Sequence, residues 1–443
     1  MRILQALGWY YPENLGGTEI YVSSLARDLI RAGHEVTVAA PLAGIESVRQ
    51  YSIEGVDVLR YPVPLAPTRA EAQGRQSARG VEYFNRFVQD YRPDVAHFHS
   101  IVTGLGLREF RIAADLGAKV IVTSHASSLG YICQRGTLMH WGRTACDGPA
   151  ITKCAACELQ HRGLPQALAR TLATIPPTMG SRLRETPGRV STALGMSALI
   201  EMNLASQAEL IALVDRFVVL TGWAARIVEA NVPQSNKLVI NRLGISDSGL
   251  SRKPGPDTQP TSWPVRFGYL GRFDAVKGIL ELAEAIRRLP SSRRFEFELR
   301  GPASGEAEKA ILQDVRTRLA HDPRVAFAPA ADRASVGSVL SAYDVLCCPS
   351  VCAEGGPTVA LEAQAVGTPV IGSRIGGLAE IVNDGVNGRL VPPGDVGALS
   401  RMIDEIAAVP AIVDRWRREV SPVRTMADVA LDYLRLYEEV LAA

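Results

Sequence analysis

Short apolar runs alternate with segments of helical spacing along this chain, and this alternation constrains its fold more than any other feature. Residues 2–7 read as a buried strand, 8–18 as a glycine-rich loop and 19–32 as a helix, with Ile20, Leu25 and Leu29 on one face; 35–40 form a second strand. Strand, loop, helix, strand is a βαβ unit, which requires parallel pairing. The pattern resumes at 94–98, 119–123 and 216–220, and each run is followed by polar or glycine-containing sequence. It stops between Arg242 and Pro264, where Pro254, Pro256, Pro260 and Pro264 fall among Gly, Ser and Asp, the composition of a linker. A second series then follows, with strands at 265–270, 295–300, 325–328, 345–348 and 369–372 and helices at 278–289, 306–320, 332–342 and 357–366. The last stretch, 426–441, places Val429, Leu436 and Val440 on one helical face and is expected to pack across the domains.

The expected architecture is therefore α/β, with two doubly wound, Rossmann-like domains. The amino-terminal one covers 1–245, a linker covers 246–264, the second domain covers 265–425 and a closing helix covers 426–443. Such sheets bind ligands at the carboxyl ends of their strands, which a hinge would turn toward a shared cleft. Neither half carries G-x-G-x-x-G after its first strand, and no phosphate-binding G-x-x-x-x-G-K-[ST] occurs.

Composition narrows the function classes. A chain of 443 residues with 47% hydrophobic and 21% charged residues is globular, and its net charge of +2 gives no general reason to expect a nucleic-acid partner. The opening Met1-Arg2-Ile3-Leu4-Gln5-Ala6-Leu7 lacks the apolar core and cleavage site of a signal peptide, and no run of about 18 uncharged apolar residues suggests a membrane span. The expected compartment is the cytoplasm.

Two loops carry the chemistry. Glu354-Gly355-Gly356-Pro357-Thr358 follows a buried strand and opens a helix at Pro357, where a missing N–H is harmless. Its glycines let backbone N–H groups approach a phosphate or sugar hydroxyl at a positive helix terminus. Glu354 in the loop and Glu362 in the helix supply two carboxylates for different hydroxyls of one ligand. The second loop, Gly271-Arg272-Phe273-Asp274-Ala275-Val276-Lys277-Gly278, places two cations five residues apart, suited to neutralising a diphosphate as its sugar bond breaks.

These residues, together with Gly16-Gly17-Thr18-Glu19 and Thr123-Ser124-His125, resemble the retaining GT-B glycosyltransferases of family 4, in both halves and in the right order. The resemblance implies that Arg272 and Lys277 hold the donor diphosphate and stabilise the departing nucleoside diphosphate. Glu354, with the N–H groups of Gly355 and Gly356, would position the donor sugar; Glu362 would bind the ribose, with Thr358 at the same helix start. Gly16 and Gly17 would let the first loop approach phosphates or acceptor. The histidine matching His125 lies near the reacting sugar, against a donor hydroxyl or the phosphate region, and nothing makes it a general base. Retention in this family is described as a front-face, oxocarbenium-like departure in which the leaving phosphate helps deprotonate the acceptor. With no D-x-D motif in the chain, catalysis is expected to need no metal. His97 and His99 share a strand face and read as structural.

Cys133, Cys146, Cys154 and Cys157 lie in one insertion at about 130–165, and Cys154-Ala155-Ala156-Cys157 has knuckle spacing. Four thiolates would complete a structural zinc site, with His140 or His161 able to replace one; free or redox-active thiols are the other reading. Cys347, Cys348 and Cys352 need no role beyond packing. Arg162, Arg170, Arg182, Arg184 and Arg189, interleaved with Leu164, Leu168, Leu172, Ile175 and Leu183, form a basic stretch suited to peripheral contact with anionic lipid at the inner face of a membrane. Pro176 and Pro177 break any long helix there, which leaves a solvated insertion as the alternative. The expected activity is transfer of a sugar from a nucleoside-diphosphate sugar to a glycan, lipid-linked or small-molecule acceptor. An epimerase or phosphorylase on the same architecture, or a catalytically silent nucleotide-sugar-binding assembly protein, are the rivals. Oligomeric state is open.

Overall fold

The computed structural model describes residues 1–13, 16–232, 235–246, 250 and 260–443, apart from the side chains of Arg184, Glu185 and Ser235. The chain forms two compact units. One comprises Met1–Trp141, Cys146–Arg242 and Met426–Ala443; the other comprises Leu243–Thr425 with the short piece Gly142–Ala145.

The first unit is built on eight strands: β1 (Arg2–Ala6), β2 (Glu35–Ala43), β3 (Arg49–Ile53), β4 (Val56–Val63), β5 (Val95–Phe98), β6 (Lys119–Ser124), β7 (Arg216–Val219) and β8 (Leu238–Ile240). Their order is β8-β7-β6-β5-β1-β2-β4-β3. Every pairing is parallel except β3 with β4, an antiparallel hairpin at the sheet edge. Its turn, Glu54-Gly55, has positive φ at both residues (51° and 78°), the backbone twist that suits a two-residue hairpin. The helix Gly17–Arg31 starts two residues earlier than its apolar spacing suggests and buries Tyr21, Val22, Leu25 and Leu29. The C-terminal helix Met426–Ala442 belongs to this unit, packs against Gly17–Arg31 and buries Val429, Tyr433, Leu436, Tyr437 and Val440.

The second unit has six parallel strands: β9 (Val265–Leu270), β10 (Phe295–Arg300), β11 (Val325–Ala328), β12 (Val345–Cys348), β13 (Val370–Ser373) and β14 (Gly388–Val391), in the order β11-β10-β9-β12-β13-β14. Phe267, Phe297, Leu299, Ile286 and Trp416 meet in the core on one face of this sheet; Leu346, Ala360, Val366 and Leu378 meet in a separate cluster. Each such large side chain removed from water contributes about 1.5–3 kcal/mol. Both faces are therefore covered by helices, as the unbroken apolar strands require. The linker expected over 246–264 lies mostly outside the described residues, at 247–249 and 251–259. The chain is tied to the second unit on both sides of that gap: Ile245, just before the expected linker, donates its N–H to the Arg424 carbonyl at 2.9 Å, and the Trp263 indole, near its end, donates to the Ala407 carbonyl at 2.9 Å.

One ion pair lies in the second unit's interior. The Arg417 guanidinium donates to Asp344 at 2.7 Å with both side chains 7% exposed, and Asp344 also accepts the Arg266 N–H at 2.9 Å. Replacing Arg417 by Leu should cost about 3 kcal/mol, because it leaves the buried carboxylate with only the half-exposed Arg266 guanidinium, 3.7 Å away, to balance it. A lower denaturant midpoint at unchanged slope would show this, and an unmoved midpoint would mean that the pair contributes nothing.

Candidate active site

In an open parallel sheet, ligands gather where the strand order reverses. In the second unit that point lies between β9 and β12, and the loops leaving these two strands are the Arg272/Lys277 loop and the Glu354 loop. In the first unit it lies between β1 and β5, beside β6. The loops after these strands contain Gly16 and Gly17, His99 and His125. Strand order alone thus explains why residues so far apart in sequence gather in each unit.

In the second unit, the Arg272 loop is anchored from within. Phe273 is buried, the Tyr269 hydroxyl donates to the Arg272 carbonyl at 2.5 Å, and Asp274 accepts the Val276 N–H at 3.1 Å. Gly278 closes the turn at φ 70°, where an added Cβ would stand 1.9 Å from the carbonyl oxygen of Pro349. The Val351 N–H also reaches the Val276 carbonyl at 2.9 Å, so the two loops are joined backbone to backbone. Their side chains join as well. The Lys277 ammonium pairs with Glu354, whose other oxygen accepts from the Ser350 hydroxyl. Arg272 stays half exposed and pairs with Glu308 at 3.2 Å and Asp274 at 3.4 Å.

The helix bearing Glu362 runs Thr358–Ala365, and Pro357 is its extended N-cap (φ −71°, ψ 119°) rather than its first residue. The Thr358 N–H, in the first turn, takes no hydrogen-bond partner from the described residues, and neither do those of Gly355 and Gly356 in the loop before it. Glu362 is half-buried one turn further on; burial raises its pKa, opposed by the charge of Arg333. Sequence reasoning overlooked two neighbours. The Gly377 N–H donates to the Glu354 carbonyl at 2.8 Å, and a Cβ on Gly377 would stand 2.8 Å from the Gly355 carbonyl carbon, so Gly376-Gly377 forms a wall of this site. Arg333 faces Glu362 from the segment Arg333–Ser335. The sequence signal for the first was a glycine pair in the loop that leaves a strand, two residues beyond its end; the second gave none.

In the first unit a cavity of about 600 Å³ is lined by His125, His99, Trp9, Tyr131, Gln134 and Asn203, among others. His125 is half-buried and its imidazole is pushed down to about 3 by burial, so it is neutral. Gly16 caps the first helix in extended conformation, and Glu19 turns back toward it, so that a Cβ on Gly16 would stand 2.6 Å from a Glu19 carboxylate oxygen. A Cβ on Gly17 would meet nothing within 4 Å, so open space lies beside it.

The cysteine insertion does not assemble the expected zinc site. Helix Ile151–His161 places Cys154 and Cys157 on different surroundings: Cys157 is buried against the Met139 carbonyl and Arg135, whereas Cys154 lies near Cys146 and Cys133. Burial first, and then these neighbouring thiols, push Cys154 up to about 11. Among the described residues no group of three or more His, Cys, Asp or Glu side chains could hold a metal ion, and all seven cysteines are free. The three remaining cysteines are buried, as expected of packing residues.

Comparison with known proteins gives two family matches: residues 264–408 fit the glycosyl transferases group 1 model, and residues 16–154 fit the glycosyl transferase 4-like domain, together more than half of the chain. The chain is 31% identical over 218 residues to an MMP alpha-(1->4)-mannosyltransferase of Mycolicibacterium hassiacum, a match covering 46% of this chain and about half (52%) of that protein. It is 24% identical over 429 residues to a phosphatidyl-myo-inositol mannosyltransferase of Mycobacterium leprae, covering 96% and 93%. A sucrose-phosphate synthase from Thermosynechococcus elongatus superposes over the whole of both chains with a TM-score of 0.68 at 20% identity, a likeness of GT-B fold.

The loop junction makes its own prediction. Gly278→Ala forces a side chain into a left-handed position against backbone, and should destabilise the second unit by more than about 1 kcal/mol. A melting temperature equal to that of the parent would show that the loops are not held together there.

Proposed function

This chain belongs to the group 1 glycosyltransferases, and on that premise we propose that it transfers a sugar, with retention, from a nucleoside-diphosphate sugar to an acceptor hydroxyl, with no metal in the transfer step. The observation that carries the reading is the set of N–H groups at Gly355, Gly356 and Thr358 that take no partner among the described residues, on the loop whose Glu354 pairs with Lys277 at the reversal of strand order. Donors fixed in advance at a positive helix terminus stabilise the charge of a departing diphosphate without reorganising as it develops.

The division of labour follows from the charges. Lys277 and Arg272 are each held by carboxylates in the unliganded protein, so an incoming diphosphate exchanges one set of oxygens for another and meets cations already in place. As the sugar–phosphate bond lengthens, negative charge grows on the leaving oxygens and these two cations bind them more tightly, which is the differential binding that catalysis needs. Release of Lys277 frees Glu354 to accept a hydroxyl of the donor sugar. Glu362 accepts the ribose hydroxyls. In the first unit, Gly17 leaves open space beside its loop.

The acceptor reading draws on the relatives' names, one of which specifies an inositol lipid. Exposed Leu168, Met179 and Val190, lying among exposed Arg170, Arg182 and Arg189, support docking of the insertion on an anionic membrane from the cytoplasmic side. The helices there are short and separate, as Pro176 and Pro177 foretold. No helix among the described residues is long and apolar enough to cross a membrane.

Two measurements check these roles. With a cognate nucleotide sugar and acceptor, Lys277→Ala should lower kcat by about 10²–10³-fold, the usual loss for one leaving-group donor. Unaltered turnover removes the diphosphate assignment. Glu362 must be charged to accept two hydroxyls, and its raised pKa means that the charge is lost on acidification sooner than for an exposed carboxylate. Nucleoside-diphosphate affinity should therefore weaken as pH falls toward that raised value, and Glu362→Gln should bind weakly with a flat profile; a parent profile without this fall contradicts the ribose role.

A further inference from the structure

A line of buried polar side chains runs through the first unit, and sugar transfer does not by itself require it. Gln5 comes from β1, His97 from β5 and His99 from just beyond it, Thr123 from β6, and Tyr433 and Tyr437 from the C-terminal helix; all are buried. Gln5 and His97 are paired in register across β1 and β5, and His97 and His99 share a face with ring centroids 4.0 Å apart. The line ends at His125 in the 600 Å³ cavity.

Its hydrogen bonds have a direction. Gln5 Nε2 donates to the Tyr437 hydroxyl at 3.3 Å, and Gln5 Oε1 lies 2.6 Å from His99 Nε2. An amide oxygen only accepts, so His99 Nε2 carries the hydrogen. Neutral His99 then has a bare Nδ1, which lies 2.9 Å from His125 Nε2 and must be met by an N–H. On the other side, the Tyr437 hydroxyl, already an acceptor from Gln5, donates to His97 Nδ1 at 2.6 Å, and His97 Nε2–H donates to Thr123 at 2.7 Å. Gln5 is the one member of the line whose two ends cannot exchange roles, so its orientation fixes every imidazole. Were the amide reversed, each bond would reverse with it and His125 would present an N–H to the cavity.

We propose that Gln5 and His99 are positioning residues that hold His125 as its neutral Nε2–H tautomer, so that Nδ1 meets the ligand as a hydrogen-bond acceptor. No described residue bonds to that Nδ1, and Tyr21 packs edge-on against the His125 ring at 4.7 Å to fix its plane. A bare imidazole nitrogen accepts an O–H and is repelled by a phosphate oxygen, which has no hydrogen to give. His125 therefore selects a sugar or acceptor hydroxyl and not the diphosphate. The naming of a sugar rests on the transferase reading; the tautomer does not.

The test is an ¹⁵N-resolved spectrum of the imidazoles in the full chain at neutral pH, with His125 assigned by its absence in His125→Asn. The expected result is protonated Nε2 and bare Nδ1 at His125; a protonated Nδ1, alone or as imidazolium, overturns the proposal. His99→Phe keeps the ring volume but removes the acceptor. It should scramble the His125 tautomer and lower kcat by more than about tenfold, as wrong-tautomer histidines do, while nucleoside-diphosphate affinity stays within about twofold. An unscrambled His125 in that variant overturns the proposal. Should His99→Phe not fold, the spectrum of the parent protein decides alone, since a protonated Nδ1 at His125 overturns the proposal without any variant. The spectra need no turnover, so their failure is separable from that of the sugar-transfer reading.

Discussion

The approach of Gly278 to the Pro349 carbonyl is the constraint on which the second unit's site depends. A parallel sheet brings the ends of β9 and β12 side by side but leaves their loops free to diverge, and this backbone contact removes that freedom. With the loops joined, Lys277 and Glu354 meet as an ion pair although 77 positions separate them. The same closeness brings Lys277 to the loop that carries the Gly355 and Gly356 N–H groups, which gives one small region both fixed dipoles and a charge. A side chain at 278 would separate what the sheet brings together.

The two units meet their ligands with different physics. The second offers full charges, each held in reserve by a carboxylate at its surface, where a diphosphate can displace it. The first offers a neutral imidazole at the end of a buried hydrogen-bonded line, in which burial holds His97 and His99 well below their ordinary values. A cation there would face two more imidazoles in a dry interior, so the line stays uncharged and acts through direction alone. The C-terminal helix takes part in this through Tyr433 and Tyr437, which gives the chain's last element a polar as well as an apolar reason to pack on the first unit.

Much of this could be read in the sequence because burial writes itself into apolar runs. The Rossmann-like strands of both units follow from runs such as 265–270, whereas the GT-B fold and the glycosyltransferase family were legible only through the resemblance carried by the Arg272/Lys277 loop, Glu354 and Glu362, Gly16-Gly17 and His125. The edge hairpin β3–β4 escaped because Arg49, Gln50 and Ser52 hide a strand that is half solvent-facing. Gly376-Gly377 escaped because two glycines bear no chemistry of their own, and act only where another backbone approaches them. Gln5 passed for one residue of a buried strand, and Tyr433 and Tyr437 were overshadowed by Val429, Leu436 and Val440 on the same helix; only three-dimensional neighbours reveal that these polar atoms are partners. The cysteines mislead in the opposite sense, since C-x2-C spacing carried on a helix leaves Cys157 buried against Arg135 and the Met139 carbonyl, and the described thiols form no metal-binding group.

The central claim is that the Arg272, Lys277 and Glu362 region binds a nucleoside diphosphate unaided by metal. The most direct measurement is the melting temperature of the purified protein with millimolar UDP, GDP, ADP or dTDP, each with chelator and again with magnesium, because a ligand that binds only the folded protein raises its melting point. The account predicts that at least one nucleotide raises it equally under both conditions. A shift that appears only with magnesium, or none with any of the four, would contradict it.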